Sequence, residues 1–435
     1  MKRIISVLAV LALFVGMIPA ARAEDYAQAD DLPLKLQVGD RVTEAAAFNA
    51  SYDYNTYVSL RSVAEALSGT EKQFSFSAEY TASDGQYFSI RTGEAYTPVP
   101  RNQELKNEEE KLWLGLARNR LFVDGAEKKY YTYLYGDPKD LFMSLTDLML
   151  LFDIGAEFTA SDAVRLYPEK TFAADLESLK NEGYFDTVNS VLTGDAGTGM
   201  IRFSVNQGRA FPIASTSKLM TYLLVAEAID RGDLHSSDEV VISPAAEKVS
   251  ASEDGIIEMH AGDRVPVSQL LDAMLLASSN ESAVALAEAV SGSEAEFVKA
   301  MNAKAEELHM HSARFFNSNG LPRIRAGTIP AKQQNNMSSK DMFTLVCQIL
   351  REHPEITDIT AKQYATMEAL DYTTANSNPL VFNMSGRVTG LKTGNTKAAG
   401  QCLVACDSAG QIVIVFGAED AASRGRIAEI LFRCS

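Results

Sequence analysis

The sequence predicts an α+β protein in two folded parts. A small repeated α+β domain comes first, then a larger domain in which an antiparallel sheet flanked by helices carries a helical subdomain. Three observations predict this. Residues 33–170 hold a soft internal repeat, offset by roughly 85 residues, with short strands and one amphipathic helix per copy. From residue 171 the elements lengthen, with strand patterns near both ends of the segment and helical periodicity between them. At 435 residues the chain exceeds one ordinary compact domain, and 46% hydrophobic with 22% charged residues is a globular balance.

Met1-Lys2-Arg3, the apolar run Ile4 to Ile18 and the ending Ala21-Arg22-Ala23 have the three parts of a secretory signal peptide, so residues 1–23 are expected to be cleaved. The run falls short of the roughly 20 residues of a membrane helix. No later segment is apolar enough to span a bilayer, which predicts an exported protein without a transmembrane segment after cleavage. A formal charge of −17 argues against a nucleic-acid or polyanionic lipid partner, since both require clustered Lys and Arg. The acidic, polar residues 24–32 read as a linker.

In the repeat, Leu36-Gln37-Val38-Gly39 answers Phe122-Val123-Asp124-Gly125, each a short strand entering a Gly turn. Tyr57 to Arg61 with Val63 to Leu67 answers Phe142 to Thr146 with Leu148 to Phe152, both an extended entry into an amphipathic helix. Strand patterns close each copy, at Phe74-Ser75-Phe76 and Tyr87 to Ile90, and at Val164-Arg165-Leu166.

Beyond residue 171, Ser190 to Leu192 and Met200 to Val205 read as a hairpin, followed by a helix from Ser215 to Ile229. A mainly helical stretch runs from Val267 to about His353. Strands return at Arg387 to Lys392, Gln401 to Ala405 and Ile412 to Phe416, before a last helix at Arg424 to Cys434. Cys347, Cys402, Cys406 and Cys434 are read as buried free thiols, because Cys402 and Cys406 share one strand, where a bridge is geometrically poor.

Three short strings carry chemistry. In Ser215-Thr216-Ser217-Lys218 the first and last side chains share one face of a starting helix, where a backbone N–H and the helix dipole favour an oxyanion. A serine hydroxyl needs an adjacent base, and Lys218 qualifies only if burial and a nearby cation depress its pKa. Ser278-Ser279-Asn280 connects two helical segments and can present a hydroxyl and an amide to a cleft; a helix N-cap at Ser278 or Asn280 is the bland alternative. Lys392-Thr393-Gly394 ends a strand, with a cation for Lys218 and for a carboxylate, a hydroxyl, and a glycine that admits substrate backbone. Ser204-Val205-Asn206, inside a strand, is rejected as a decoy. His235, His260, His309, His311 and His353 have no serine-elbow context, and His309 with His311 lacks a third metal ligand, so neither a metal nor a cofactor is expected.

These strings, in this order, resemble the low-molecular-mass penicillin-binding proteins, the S11 family of D-alanyl-D-alanine carboxypeptidases. The likeness extends to Pro212-Ile213-Ala214, the run Asn280 to Glu288, Phe316-Asn317, Gly320-Leu321-Pro322, Asn376-Ser377-Asn378 and Gly390 to Gly394. It implies a DD-peptidase/β-lactamase-like fold over residues 171–435 and removal of the terminal D-alanine from peptidoglycan stem peptides, with Ser215 as nucleophile, Lys218 as base and Ser278 as proton relay. Asn280, Lys392, Thr393, Gly394 and Asn395 would bind substrate, and the oxyanion would lie between the N–H groups of Ser215 and Asn395. β-Lactams would acylate the same serine, and the protein would be secreted and associated with the cell wall.

Residues 33–170 resemble the small module named after the N-terminal domain of copper amine oxidases. Residues 24–171 contain no His or Cys to select copper, so a spacer or a contact with an envelope polymer is expected. Relatives usually have Gly at the position of Ser279 and an aromatic residue or His at that of Asn395, and some place a cation at that of Ser377. Many also carry a further β domain and an amphipathic anchor after the catalytic region. Here the N-terminal modules are the expected means of attachment. Two other readings are a β-lactamase of the same fold, whose class A members add a Glu-x-x-Leu-Asn segment not found between Asn280 and Lys392, and a non-catalytic wall-binding protein.

Overall fold

The computed structural model describes residues 26–50, 56–81, 85–99, 112–116, 120–135, 140–160, 163–172, 174–322 and 333–434. The expected signal peptide, residues 1–23, lies outside them. The chain divides into two compact units between Phe172 and Ala173.

In the first unit the strands are β1 (Tyr26–Val38), β2 (Arg41–Ala50), β3 (Thr56–Ser59), β4 (Phe74–Thr81), β5 (Gly85–Thr92), β6 (Leu112–Leu116), β7 (Arg120–Val123), β8 (Ala126–Lys128), β9 (Thr132–Tyr135), β10 (Asp140–Ser144), β11 (Gly155–Ala160) and β12 (Ala163–Tyr167). The ring β1-β2-β3-β10-β9-β6 closes on itself through β1–β6 pairing, with β12 and β11 added along the other end of β1. Strands β4-β5-β7-β8 form a second sheet.

Helices Leu60–Leu67 and Leu145–Phe152 each follow directly on a strand. A serine makes the junction both times: Ser59 Oγ accepts from Ser62 N and Ser144 Oγ from Asp147 N, satisfying an amide the helix start leaves open. Phe74 stacks on Phe152 with centroids 4.3 Å apart, in a core shared with Leu36, Val58, Leu67 and Phe88. The expected linker, residues 24–32, is not one where it is described. Residues 26–32 begin β1, with Tyr26 to Ala29 paired to β6 and Ala29 to Leu32 paired to β2. Backbone pairing to one neighbouring strand or the other along this stretch overrides an acidic composition.

The second unit is built on the antiparallel sheet β14-β13-β23-β22-β21. Its outer hairpin is β13 (Ser190–Asp195) and β14 (Met200–Val205). Short strands β15 (Ala210–Pro212), β16 (Glu239–Val241), β17 (Arg264–Pro266), β18 (Asn336–Ser338), β19 (Tyr364–Met367) and β20 (Tyr372–Ala375) pair two by two. The sheet is completed by β21 (Val388–Thr396), β22 (Gly400–Asp407) and β23 (Gln411–Ala418). Ile412 to Phe416 are all buried, because helices Ser339–Glu352 and Ala421–Cys434 pack on β23.

Helix Lys218–Asp230 is apolar nearly all round, with Leu219, Met220, Tyr222, Leu223 and Val225 buried, as expected of a central helix. It packs against Asn280–Ser291 and Glu294–Glu307 of the helical part. All four cysteines are free; Cys402 and Cys406 are buried, whereas Cys347 and Cys434 are half-buried. Among the described residues no helix is long and apolar enough to cross a membrane.

Candidate active site

The chain enters the cleft at Ala214, whose φ of 47° is left-handed, a conformation that costs an L-residue energy and persists only where its surroundings impose it. Residues Ala214–Ser217 form a 3₁₀ turn, and the α-helix starts only at Lys218, later than the sequence suggests. Thr216 Oγ1 donates to Ile213 O (2.6 Å) and Ser217 Oγ to Ala214 O (2.7 Å), which locks the turn. Ser215 is half-buried, with its hydroxyl facing Lys218.

Lys218 is fully buried, and its Nζ donates to Ser215 Oγ (2.8 Å), Asn280 Oδ1 (2.7 Å) and Asn319 O (2.8 Å). Burial, then the Lys392 cation, hold its pKa well below the usual lysine value, and the Glu281 carboxylate opposes them. Two of the three partners are amide oxygens, which only accept. A neutral amine has two N–H bonds and one lone pair. It can satisfy both oxygens and still turn the lone pair to the Ser215 hydroxyl.

Ser278 and Asn280 sit where helix Val267–Asp272 ends in a π turn, Ala273–Ala277, and helix Asn280–Ser291 begins. Ser278 reverses the chain at φ 68° and is half-buried; among the described residues its hydroxyl makes no hydrogen bond. The cap of the second helix falls on neither flanking residue. Ser279 Oγ accepts from Ser282 N (3.0 Å) and donates to Ser282 Oγ (2.6 Å), freeing Ser278 and Asn280 for the cleft. Asn280 Nδ2 donates to Asp254 O (2.7 Å), and the buried Glu281 accepts from Ile256 N and Ile257 N, so this turn also fixes the loop at 254–257.

Opposite lies β21, which continues past the expected strand end to Thr396, so Lys392-Thr393-Gly394 is inside the strand, paired with Val404, Leu403 and Cys402. Lys392 is fully buried and donates to Thr393 O (3.0 Å). Burial and then the Arg424 guanidinium push its pKa down to about 7. Gly394 lies against the Ala214–Ser217 turn: a Cβ there would be 2.9 Å from Ser215 N. Asn395 follows, exposed, at the cleft mouth.

The structure thus brings Ser215, Lys218 and Asn280 into direct contact and sets Gly394 against Ser215. Lys392 faces Lys218 electrostatically, and Ser278 is placed by its turn. Sequence reasoning missed the Asn319 carbonyl, the Glu281 anchor and a contact from Ser377 Oγ to Thr393 Oγ1 (2.6 Å). A carbonyl has no side-chain signature. Glu281 lay within the run Asn280 to Glu288 but gave no sign of its amide partners.

Residues 186–420 match the model of the S11 peptidases, the D-alanyl-D-alanine carboxypeptidases. The chain is 34% identical over 227 residues to the D-alanyl-D-alanine carboxypeptidase DacF of Bacillus subtilis, covering 51% of this chain and 55% of that one. It is 31% identical over 245 residues to DacD of Escherichia coli, covering 55% and 60%. Those matches span little more than half the length of either relative. Among solved structures, penicillin binding protein 6B of Escherichia coli aligns with TM-score 0.51 at 30% identity, over 57% of this chain and 76% of that one.

Proposed function

Since the chain belongs to the S11 D-alanyl-D-alanine carboxypeptidase family, we propose that it removes the terminal D-alanine from peptidoglycan stem peptides through an acyl-enzyme on Ser215. The observation that carries this reading is the Lys218 environment: a buried amine of depressed pKa, in hydrogen-bond contact with a half-exposed serine and held by two obligate acceptors.

Ser215 Oγ attacks the penultimate D-alanine carbonyl while Lys218 takes its proton. The oxyanion is held by the N–H groups of Ser215 and Asn395. As the tetrahedral species collapses, the C–N bond breaks and the proton passes from Lys218 through the Ser278 hydroxyl to the leaving D-alanine amine. Water, deprotonated by Lys218, then cleaves the ester and restores Ser215. Asn280 aligns substrate backbone and Lys218, and Lys392 with Thr393 holds the terminal carboxylate beside Gly394. A β-lactam carries an amide and a carboxylate in similar relation and would acylate the same serine. Glu281, the acid nearest in sequence to the Ser278 turn, is occupied by the Ile256 and Ile257 amides. This supports a peptidase over a class A lactamase, which uses a glutamate to activate water.

Residues 1–23 we assign to export and residues 33–170 to contact with an envelope polymer. The latter is supported by an open cleft lined by Glu79, Tyr87, Arg91, Arg120, Phe122 and Asp124, aromatic and charged groups of the kind that bind sugars. The deciding experiment measures D-alanine release from an N-acylated peptide ending in Lys-D-Ala-D-Ala by residues 24–435, with Ser215→Ala alongside. Release by the first and not the second is expected. Absence of release by folded protein overturns the proposal.

A further inference from the structure

The tripeptide Asn376-Ser377-Asn378 follows β20 and runs beside β21. Both asparagines are buried and committed to the backbone. Asn376 Nδ2 donates to Thr360 O and Lys362 O (2.9 Å each), and its Oδ1 accepts from Asn378 N (2.9 Å). Asn378 Nδ2 donates to Gly390 O (2.9 Å), on the strand that carries Lys392, while its Oδ1 accepts from Leu380 N (3.0 Å). Ser377 N donates to Leu276 O (3.2 Å), in the π turn just before Ser278. The bracket therefore ties together the two walls of the cleft. The side chain between the two asparagines, Ser377, is exposed, and its Oγ lies 2.6 Å from Thr393 Oγ1.

We infer that Ser377 is a specificity-determining positioning residue, which aims the Thr393 hydroxyl at the substrate carboxylate. The inference rests on the carboxypeptidase reading and goes beyond it by adding a group outside the three strings. At 2.6 Å one hydroxyl hydrogen lies between the two oxygens. When Ser377 donates it, the Thr393 hydrogen is left to point at an anion and is polarised by the bond it receives. An arriving carboxylate selects this arrangement, because the reverse one turns the Thr393 hydrogen away from it. The rigid bracket holds Ser377 beside Thr393 before substrate binds, so loss of the Ser377 hydroxyl should weaken capture of the carboxylate and leave bond breaking at Ser215 nearly intact.

The test is a double-mutant cycle on the full chain, with kcat and KM for the acyl-D-Ala-D-Ala peptide measured in wild type, Ser377→Ala, Ser377→Thr, Thr393→Val and the Ser377→Ala/Thr393→Val pair. Ser377→Ala is expected to lose about tenfold in kcat/KM, chiefly through KM, as for a hydrogen bond to a charged group. Ser377→Thr should recover most of it. The pair should be no worse than Thr393→Val alone, because Ser377 acts through Thr393. Unfolding temperature should not move, since the bracket uses no atom of the serine side chain. Wild-type kinetics in Ser377→Ala, additive losses in the pair, or a loss that tracks a lowered unfolding temperature would each overturn the inference. An inactive wild type would instead overturn the carboxypeptidase reading beneath it.

Discussion

Replacing Gly394 by alanine probes how the Ser215 amide, the proposed oxyanion donor, is held. Gly394 does not have the positive φ that excludes side chains, so the effect of a methyl group is steric. The new Cβ would lie 2.9 Å from Ser215 N, 3.1 Å from Thr216 N and 3.2 Å from Ala214 Cβ, where ordinary contact begins near 3.4 Å. The neighbours are mostly backbone, locked by the Thr216 and Ser217 hydroxyls. Strand and turn must separate by about half an ångström. Since a misplacement of about 1 Å costs roughly a hundredfold in rate, acylation should slow by about tenfold. Overpacking should also cost about 1–3 kcal/mol, or about 2–4 °C of unfolding temperature per kcal/mol in a domain of this size. The assay is the second-order rate of labelling by a fluorescent penicillin, followed by a thermal melt of the same sample. Gly208→Ala serves as the control, because a Cβ at Gly208 meets nothing within 4 Å. Labelling at the wild-type rate with an unchanged melt would refute the steric argument.

Other expectations concern pH and capping. The proposed mechanism requires a neutral Lys218 and a charged Lys392, so kcat/KM should rise with pH through the lowered Lys218 pKa and fall again as Lys392, pushed down to about 7, loses its proton. Initial rates over about pH 5 to 10 test this, and an alkaline limb above about pH 9 would contradict it. Lys392→Met should move the acid limb to higher pH, because removing the cation raises the Lys218 pKa. Ser279→Ala deletes the cap of helix Asn280–Ser291 and should cost about 1 kcal/mol, whereas Ser279→Gly should cost only a few tenths. Calorimetry that finds the two equally stable would count against the capping role.

The strings that carry chemistry were legible because each is local: a serine and a lysine on one turn, a hydroxyl and an amide at one helix junction, a cation on one strand. What stayed hidden depends on chain brought from elsewhere. The third partner of Lys218 is a carbonyl at Asn319, a hundred residues downstream in rough terms, and the cap at the Ser278 turn went to the middle serine because its hydroxyl meets Ser282. Composition misled at residues 26–32, where neighbouring strands decide the conformation. The strand-into-helix junctions near Ser59 and Ser144 were readable because the extended entry and the apolar helical period are both written in sequence. Their enclosure in one closed ring of strands was not, since ring closure joins β1 to β6 across most of that unit.

The strand order of the catalytic sheet has a consequence for biogenesis. Ser190 in β13 pairs with Phe416 in β23, and the strand that supplies Lys392 is joined to the hairpin only through β22 and β23. The segment bearing Ser215 is therefore made long before the strands that complete its cleft. A nascent or truncated chain that stops short of β23 has Ser215 but not the Lys392 strand in place, and loop closure over that distance must precede any reward from pairing. Penicillin labelling should then report completion of the fold, marking finished molecules and leaving partial ones dark.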